Sequence, residues 1–189
     1  MTLLAHAPTS ATAAAAFPAD ESLDARGRAW AEAGRGSLRA ERVVCAPEPA
    51  CCETCALLGL RPEVDEGLRG WDLGSWAGRT LDEVAAAYPD EVGSWLADPS
   101  AAPHGGEPLT VLVARVRRWL AGAQSGHTLA VCGPAVVRAA VVAVFDAPDA
   151  ALWRVDISPM TATDLRGGPN RWTVRATGVP VPSRRRATS

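Results

Sequence analysis

Val131-Cys132-Gly133-Pro134-Ala135-Val136-Val137-Arg138 reads as the end of a strand running straight into a helix. Thr128 to Cys132 is apolar and short, as a buried strand should be. Pro134 suits a first helical turn, where its missing N–H costs nothing. Val136 to Phe145 is apolar nearly all round, which predicts a deeply buried helix.

The same alternation repeats outward from this junction. Strands are expected at Thr2 to Ala5, Glu41 to Cys45, near Val64, and near Arg154–Ile157, Thr161–Leu165 and Arg171–Ala176. Helices are expected over about 23–33, 49–58, 81–87, 91–96 and 107–121, with a loop over 10–20. In the 107–121 helix, Leu109, Leu112, Val113, Val116 and Leu120 recur at three- and four-residue spacing and make one apolar face. Strands alternating with helices indicate an α/β fold: a three-layer αβα sandwich with a largely parallel central sheet. Residues 1–178 form one domain, and the polar segment 179–189 is expected to be a disordered tail.

Composition narrows the function classes. The chain has 189 residues and 48% hydrophobic residues, enough for a sizeable core. A net charge of −2 and a pI near 5.9 point to neither a nucleic-acid nor a membrane partner. Arginine supplies every long cationic side chain, because the sequence has no lysine; a GC-rich coding sequence accounts for that. No apolar run reaches the roughly 20 residues a membrane span needs, and the first residues lack a basic leader, so a cytoplasmic location is expected. The five cysteines are not spaced as a disulfide framework. Cys51, Cys52 and Cys55 fall on a helix that points neighbours in different directions, so they are read as buried thiols with no metal. No cofactor is expected. A small-molecule ligand and a homodimer are the partners the sequence leaves open.

Several segments, in order, resemble the signatures of the histidine phosphatase (phosphoglycerate mutase-like) superfamily. Leu3-Leu4-Ala5-His6-Ala7-Pro8-Thr9 is similar to its R-H-G-E-T start. Leu23 to Ala31 resembles the L-t-x-x-G-r-x-q-A helix start. Cys45-Ala46-Pro47 through Thr54-Cys55 resembles the S-S-P-l-x-R-A-x-q-T-A turn. Leu68 to Gly78 resembles L-x-E-x-x-x-G-x-w-E-G, and Pro103-His104-Gly105-Gly106-Glu107 resembles P-x-G-G-E. The resemblance covers roughly residues 2–177. It implies a histidine that attacks a phosphate monoester, two arginines and a second histidine that neutralise the transferring group, and an acid that protonates the leaving oxygen. Phosphoryl transfer is catalysed mainly by positioning and charge stabilisation.

Carried over residue by residue, the nucleophile position is His6. The arginine before it is replaced by Ala5, the arginine of the turn by Ala50, the acid by Gly70 and the second histidine by Gly133. The resemblance therefore implies a degenerate member of the superfamily, a ligand-binding or partner subunit rather than an active phosphohydrolase. The alternatives are an enzyme turned to non-phosphate chemistry on His6, or a weak phosphomonoesterase drawing cations from Arg69 or Arg138. His6 itself reads as a retained nucleophile, base or ligand, or as a histidine hydrogen-bonded in a pocket floor. Thr9 and Ser10, with Thr12, either line the pocket with hydroxyls or cap the loop. His104, in a Pro-Gly loop, is expected to face solvent. Glu107 is a candidate rim residue and the one acid left near the site. Trp71 and Trp76 are packing residues or an aromatic wall of the pocket. Large charged groups replaced by alanine and glycine are expected to leave an open cavity beside His6.

Overall fold

The strand order in the computed structural model, which describes residues 1–168 and 171–182, is β3-β2-β4-β1-β5-β6. These are β1 Thr2–Ala5, β2 Arg42–Cys45, β3 Glu63–Val64, β4 Thr128–Cys132, β5 Thr161–Gly168 and β6 Arg171–Pro180. The first four in the sheet are mutually parallel; on the other side of β1, β5 pairs with it antiparallel and β6 pairs antiparallel with β5. The helices are α1 Ser10–Ala14, α2 Ala25–Ala33, α3 Pro49–Leu58, α4 Leu81–Ala87, α5 Pro89–Ala97, α6 Leu109–Ala121 and α7 Pro134–Val144. α2 and α3 accompany steps from β1 towards β3, and α6 leads back to β4. Right-handed crossovers put those two sets on opposite faces of the sheet. α2 packs on α3, and α6 packs on α7. The result is the three-layer α/β architecture expected from the alternation. Among the described residues, no helix is long and apolar enough to cross a membrane.

Local chemistry sets the element ends. Pro49 opens α3, and Gly59, at φ 78°, closes it in the left-handed conformation that glycine adopts without strain. β4 lies at the centre of the parallel strands with all five residues buried, which is why its sequence does not alternate. α6 buries the five residues of its apolar face. Gly27 on α2 is a point of close approach: a Cβ there would sit 2.0 Å from the Pro8 carbonyl oxygen. Only glycine lets α2 lie against the loop that follows β1.

Three expectations are corrected. The segment expected to be a loop begins with the short helix α1, because Thr9 and Thr12 form a reciprocal capping box. No strand forms over Arg154–Ile157. A 3-10 helix spans Asp149–Arg154 instead, with Leu152 and Ile157 buried as anchors, and both sides of β1 are already taken by β4 and β5. Finally, β6 continues to Pro180 and the Val181 N–H donates to the Met160 carbonyl (3.0 Å). Residues 179 and 180 thus belong to the sheet, while 183–189 of the expected tail lie outside the described residues.

Candidate functional site

His6 and Gly133 leave the sheet side by side. The parallel register aligns Ala5 with Cys132, and the His6 N–H donates to the Cys132 carbonyl at 3.1 Å. Both residues therefore emerge at the carboxyl ends of adjacent strands, where open α/β sheets bind ligands. The Ala46 N–H donates to the Val131 carbonyl (2.9 Å), which brings the turn after β2 to the same end. The buried Thr54 hydroxyl joins two of the segments: it accepts from the Ala7 N–H (3.0 Å) and donates to the Ala50 carbonyl (2.7 Å). The Gly70 N–H donates to Glu48 Oε1 at 2.8 Å. His6, Ala50, Gly70 and Gly133 are thus gathered from four separate segments.

The expected cavity is closed at two of these positions. Ala5 is fully buried and Ala50 is 4% exposed, so neighbours cover the space that a larger side chain would take. Gly133 is different: a Cβ built there meets nothing within 4 Å. Two hollows, of about 560 and 260 Å³, touch Thr2 and Met1 at the opposite end of β1.

The His6 ring is oriented by its own loop. Nδ1 lies 2.7 Å from the Ala7 carbonyl oxygen. A carbonyl only accepts, so Nδ1 carries the proton and Nε2 keeps a lone pair. Burial is the main cause of a lowered His6 pKa; the bond to Ala7 and the carboxylates of Glu21 and Glu48 pull the other way. Glu48 Oε1 holds Gly70, while Oε2 is buried without a partner. Glu21 accepts from the Thr9 hydroxyl and the Ala19 N–H, each at 2.7 Å. Burial works to raise the Glu21 pKa, but these bonds outweigh it, and the value falls below the ordinary one.

Glu21 and Glu48 correct the reading of Glu107 as the one acid near the site. Glu107 is spent on Arg115, at 2.9 and 3.0 Å. Arg115 also donates to the carbonyls of Gly67, Arg69 and Gly70. Glu107 thus acts through Arg115 to fix the loop that carries Gly70. Glu48 had one legible signal, its place between Pro47 and Pro49 at a strand-to-helix turn; Glu21 had none.

The remaining candidates fall outside the His6 pocket or turn inward. Thr9 caps α1 and holds Glu21, and Ser10 is exposed on α1. His104 is 2% exposed, contrary to the solvent-facing expectation. Its Nδ1 accepts from the Gly106 N–H (3.0 Å), so Nε2 carries the proton, and the Trp76 ring lies edge-on at 5.3 Å. Trp71 and Trp76 are not a wall of the pocket. They stack inward with Trp95, Trp153 and Phe17, and Trp71 Nε1 donates to the Glu107 carbonyl (2.7 Å). Trp30 is 42% exposed with the Arg26 guanidinium over its ring. Arg69 pairs with Glu66 at 2.7 Å and Arg138 with Asp156 at 3.6 Å. Among the described residues, no three His, Cys, Asp or Glu side chains form a group able to hold a metal ion.

Fold and motif order together define a histidine phosphatase scaffold. Residues 1–180 match the model of the histidine phosphatase superfamily (branch 1), and the chain belongs to that superfamily. Among curated proteins, it is 30% identical over 133 residues to the bifunctional protein Rv2228c of Mycobacterium tuberculosis and to the uncharacterized protein Mb2253c of Mycobacterium bovis. Each match covers 66% of this chain and 36% of the relative, so the chain spans about a third of their length. Among solved structures, it is similar to mycobacterial glucosyl-3-phosphoglycerate phosphatase Rv2419c in complex with VO3, with TM-score 0.82, 24% identity and coverage of 95% of this chain and 98% of that one. The alpha-ribazole phosphatase of Shigella flexneri gives TM-score 0.81 at 18% identity, covering 97% and 98%. At these identities the likeness is one of fold.

Proposed function

We propose that this protein is a degenerate histidine phosphatase that binds a ligand without a phosphate dianion beside His6 and does not turn over phosphate monoesters. One observation carries the reading: by the resemblance, the family's cation positions fall at Ala5, Ala50 and Gly133. A dianion brought to Nε2 would find no cation from those positions. Removing a single electrostatic stabiliser typically costs about a hundredfold to a thousandfold in rate, and groups that act as a unit fail together. Arg69 is paired with Glu66 at 2.7 Å, which weighs against it as a borrowed cation; Arg138 reaches Asp156 only at 3.6 Å and its buried Nε has no partner, so it is the residue to substitute as a control. The solved relatives named as phosphatases make the opposite outcome the natural control. With p-nitrophenyl phosphate, turnover is expected below about 1 s⁻¹, the low end of ordinary enzymes, and unchanged in His6→Ala. A faster rate that disappears in His6→Ala would refute the proposal.

A second reading rests on the tautomer. With Nδ1–H fixed on Ala7 and Nε2 unprotonated at neutral pH, His6 is poised as a base or nucleophile towards a neutral or cationic substrate. Its mark would be an activity on non-phosphate substrates that His6→Ala removes.

A further inference from the structure

The five cysteines are spread over residues 45–132, yet the fold gathers them where β2, β4 and α3 meet. Cys45 ends β2, Cys132 ends β4, and Cys51, Cys52 and Cys55 lie on α3. All are free thiols, and all but Cys52 are buried. Cys45 Sγ and Cys52 Sγ are 3.9 Å apart, and a disulfide between them would bring the two sulfurs to about 2.05 Å. Between them runs the turn that holds Pro47, Glu48 and Ala50.

We propose that Cys45 and Cys52 form a reversible disulfide site, entered through Cys52, with a hydroperoxide as oxidant. The exposure difference sets the order of events. Cys52 is the member of the pair that is not buried, so the attack on the O–O bond is assigned to its sulfur. With hydrogen peroxide, sulfur loses two electrons and becomes a sulfenic acid, and the displaced oxygen leaves as water with the thiol proton. The Cys45 sulfur then bonds to Cys52, and the sulfenic hydroxyl departs as a second water carrying the Cys45 proton. Two thiols and one peroxide give one disulfide and two waters. Burial pushes the Cys45 thiol up to about 12, so little of it is thiolate at neutral pH and the second step is the slower one. The closed bond would pin the end of β2 to the first turn of α3. Glu48, whose carboxylate reaches both Gly70 and the field at His6, sits inside that eight-residue ring.

The test is mass spectrometry of the native protein after peroxide and thiol alkylation. The tryptic peptide from Val43 to Arg69 carries four of the five cysteines. It is expected to lose two hydrogens and to leave two cysteines unalkylated, with both changes reversed by dithiothreitol. Tandem spectra should place the bond between Cys45 and Cys52. Cys52→Ser, a change at a half-buried position, should abolish it, and Cys51→Ala should leave it intact. The proposal is overturned if Cys52 gains oxygen without cross-linking, if Cys52→Ser still loses two thiols to a disulfide, if the bond joins any other pair, or if all five thiols remain alkylatable after peroxide.

Discussion

Around Glu107 the protein closes two loops over four indoles, and around His6 it gathers strand ends lined by alanine and glycine. Both regions carry superfamily-like motifs, but of different kinds. In the first, each motif residue has a packing task. Trp71 hydrogen-bonds the Glu107 carbonyl, and Gly106 lets the loops touch, since a Cβ there would lie 2.3 Å from the Asp72 carbonyl oxygen. In the second, family-like side chains such as Thr54 hold backbone together, and on the proposed reading the positions that would carry charge hold none. On that reading, requirements of folding and requirements of catalysis are written on different residues of the same motifs, so one set can stand without the other.

The contrast is broken most strongly at the indoles. Trp95 is 5% exposed and lies 4.6 to 5.8 Å from the rings of Trp153, Trp76, Trp71 and Phe17. Trp95→Ala is expected to cost about 3–5 kcal/mol in urea unfolding, against less than about 1 kcal/mol for His6→Ala. Equal losses would mean that the two regions are not built differently.

Acidification tests the two buried imidazoles together. Burial lowers both the His6 and His104 pKa values, so below the unfolded value of about 6.5 the unfolded chain binds more protons than the folded one. The stability these groups allow is fully present above that pH. It declines as the pH falls through 6.5 towards their depressed folded values. Few other side chains titrate there. The urea midpoint should therefore be lower at pH 5.5 than at pH 7.5; a midpoint that rises on acidification would contradict the burial of both rings.

The smallest effect is expected at Gly133→His. The backbone there is extended, at φ −69° and ψ 152°, and the Cβ direction is open. Stability should change by less than about 0.5 kcal/mol, and phosphatase activity should stay at background because Ala5 and Ala50 are unchanged. A large destabilisation would show that the space beside His6 is not available.

Local signals made much of the scaffold legible. Pro49 and Gly59 bracket α3, the threefold and fourfold spacing marks α6, and the run from Thr128 to Cys132 marks β4. Motif order located His6, Ala50, Gly70 and Gly133, and the register of β1 and β4 brings the first and last together. What the sequence hid depends on long-range contact. His104 sits in a stretch of proline and glycine whose composition says surface, and its burial comes from Trp76 and Trp95. Glu21 meets Thr9 only because the chain folds back beyond α1. The segment Val155–Ile157 has strand-like residues but no free sheet edge to join.

The position of β1 has a consequence in time. Its neighbours are β4 and β5, which begin at Thr128 and Thr161. A chain emerging from the ribosome therefore carries Leu3 and Leu4, both buried in the finished protein, for well over a hundred residues before either partner exists. Sheets closed by such distant pairings fold slowly, since loop closure must precede the contacts that reward it. During synthesis at about 5–20 residues per second, the strand that will present His6 spends many seconds unpaired and apolar, the interval in which the nascent chain most needs shielding from its neighbours.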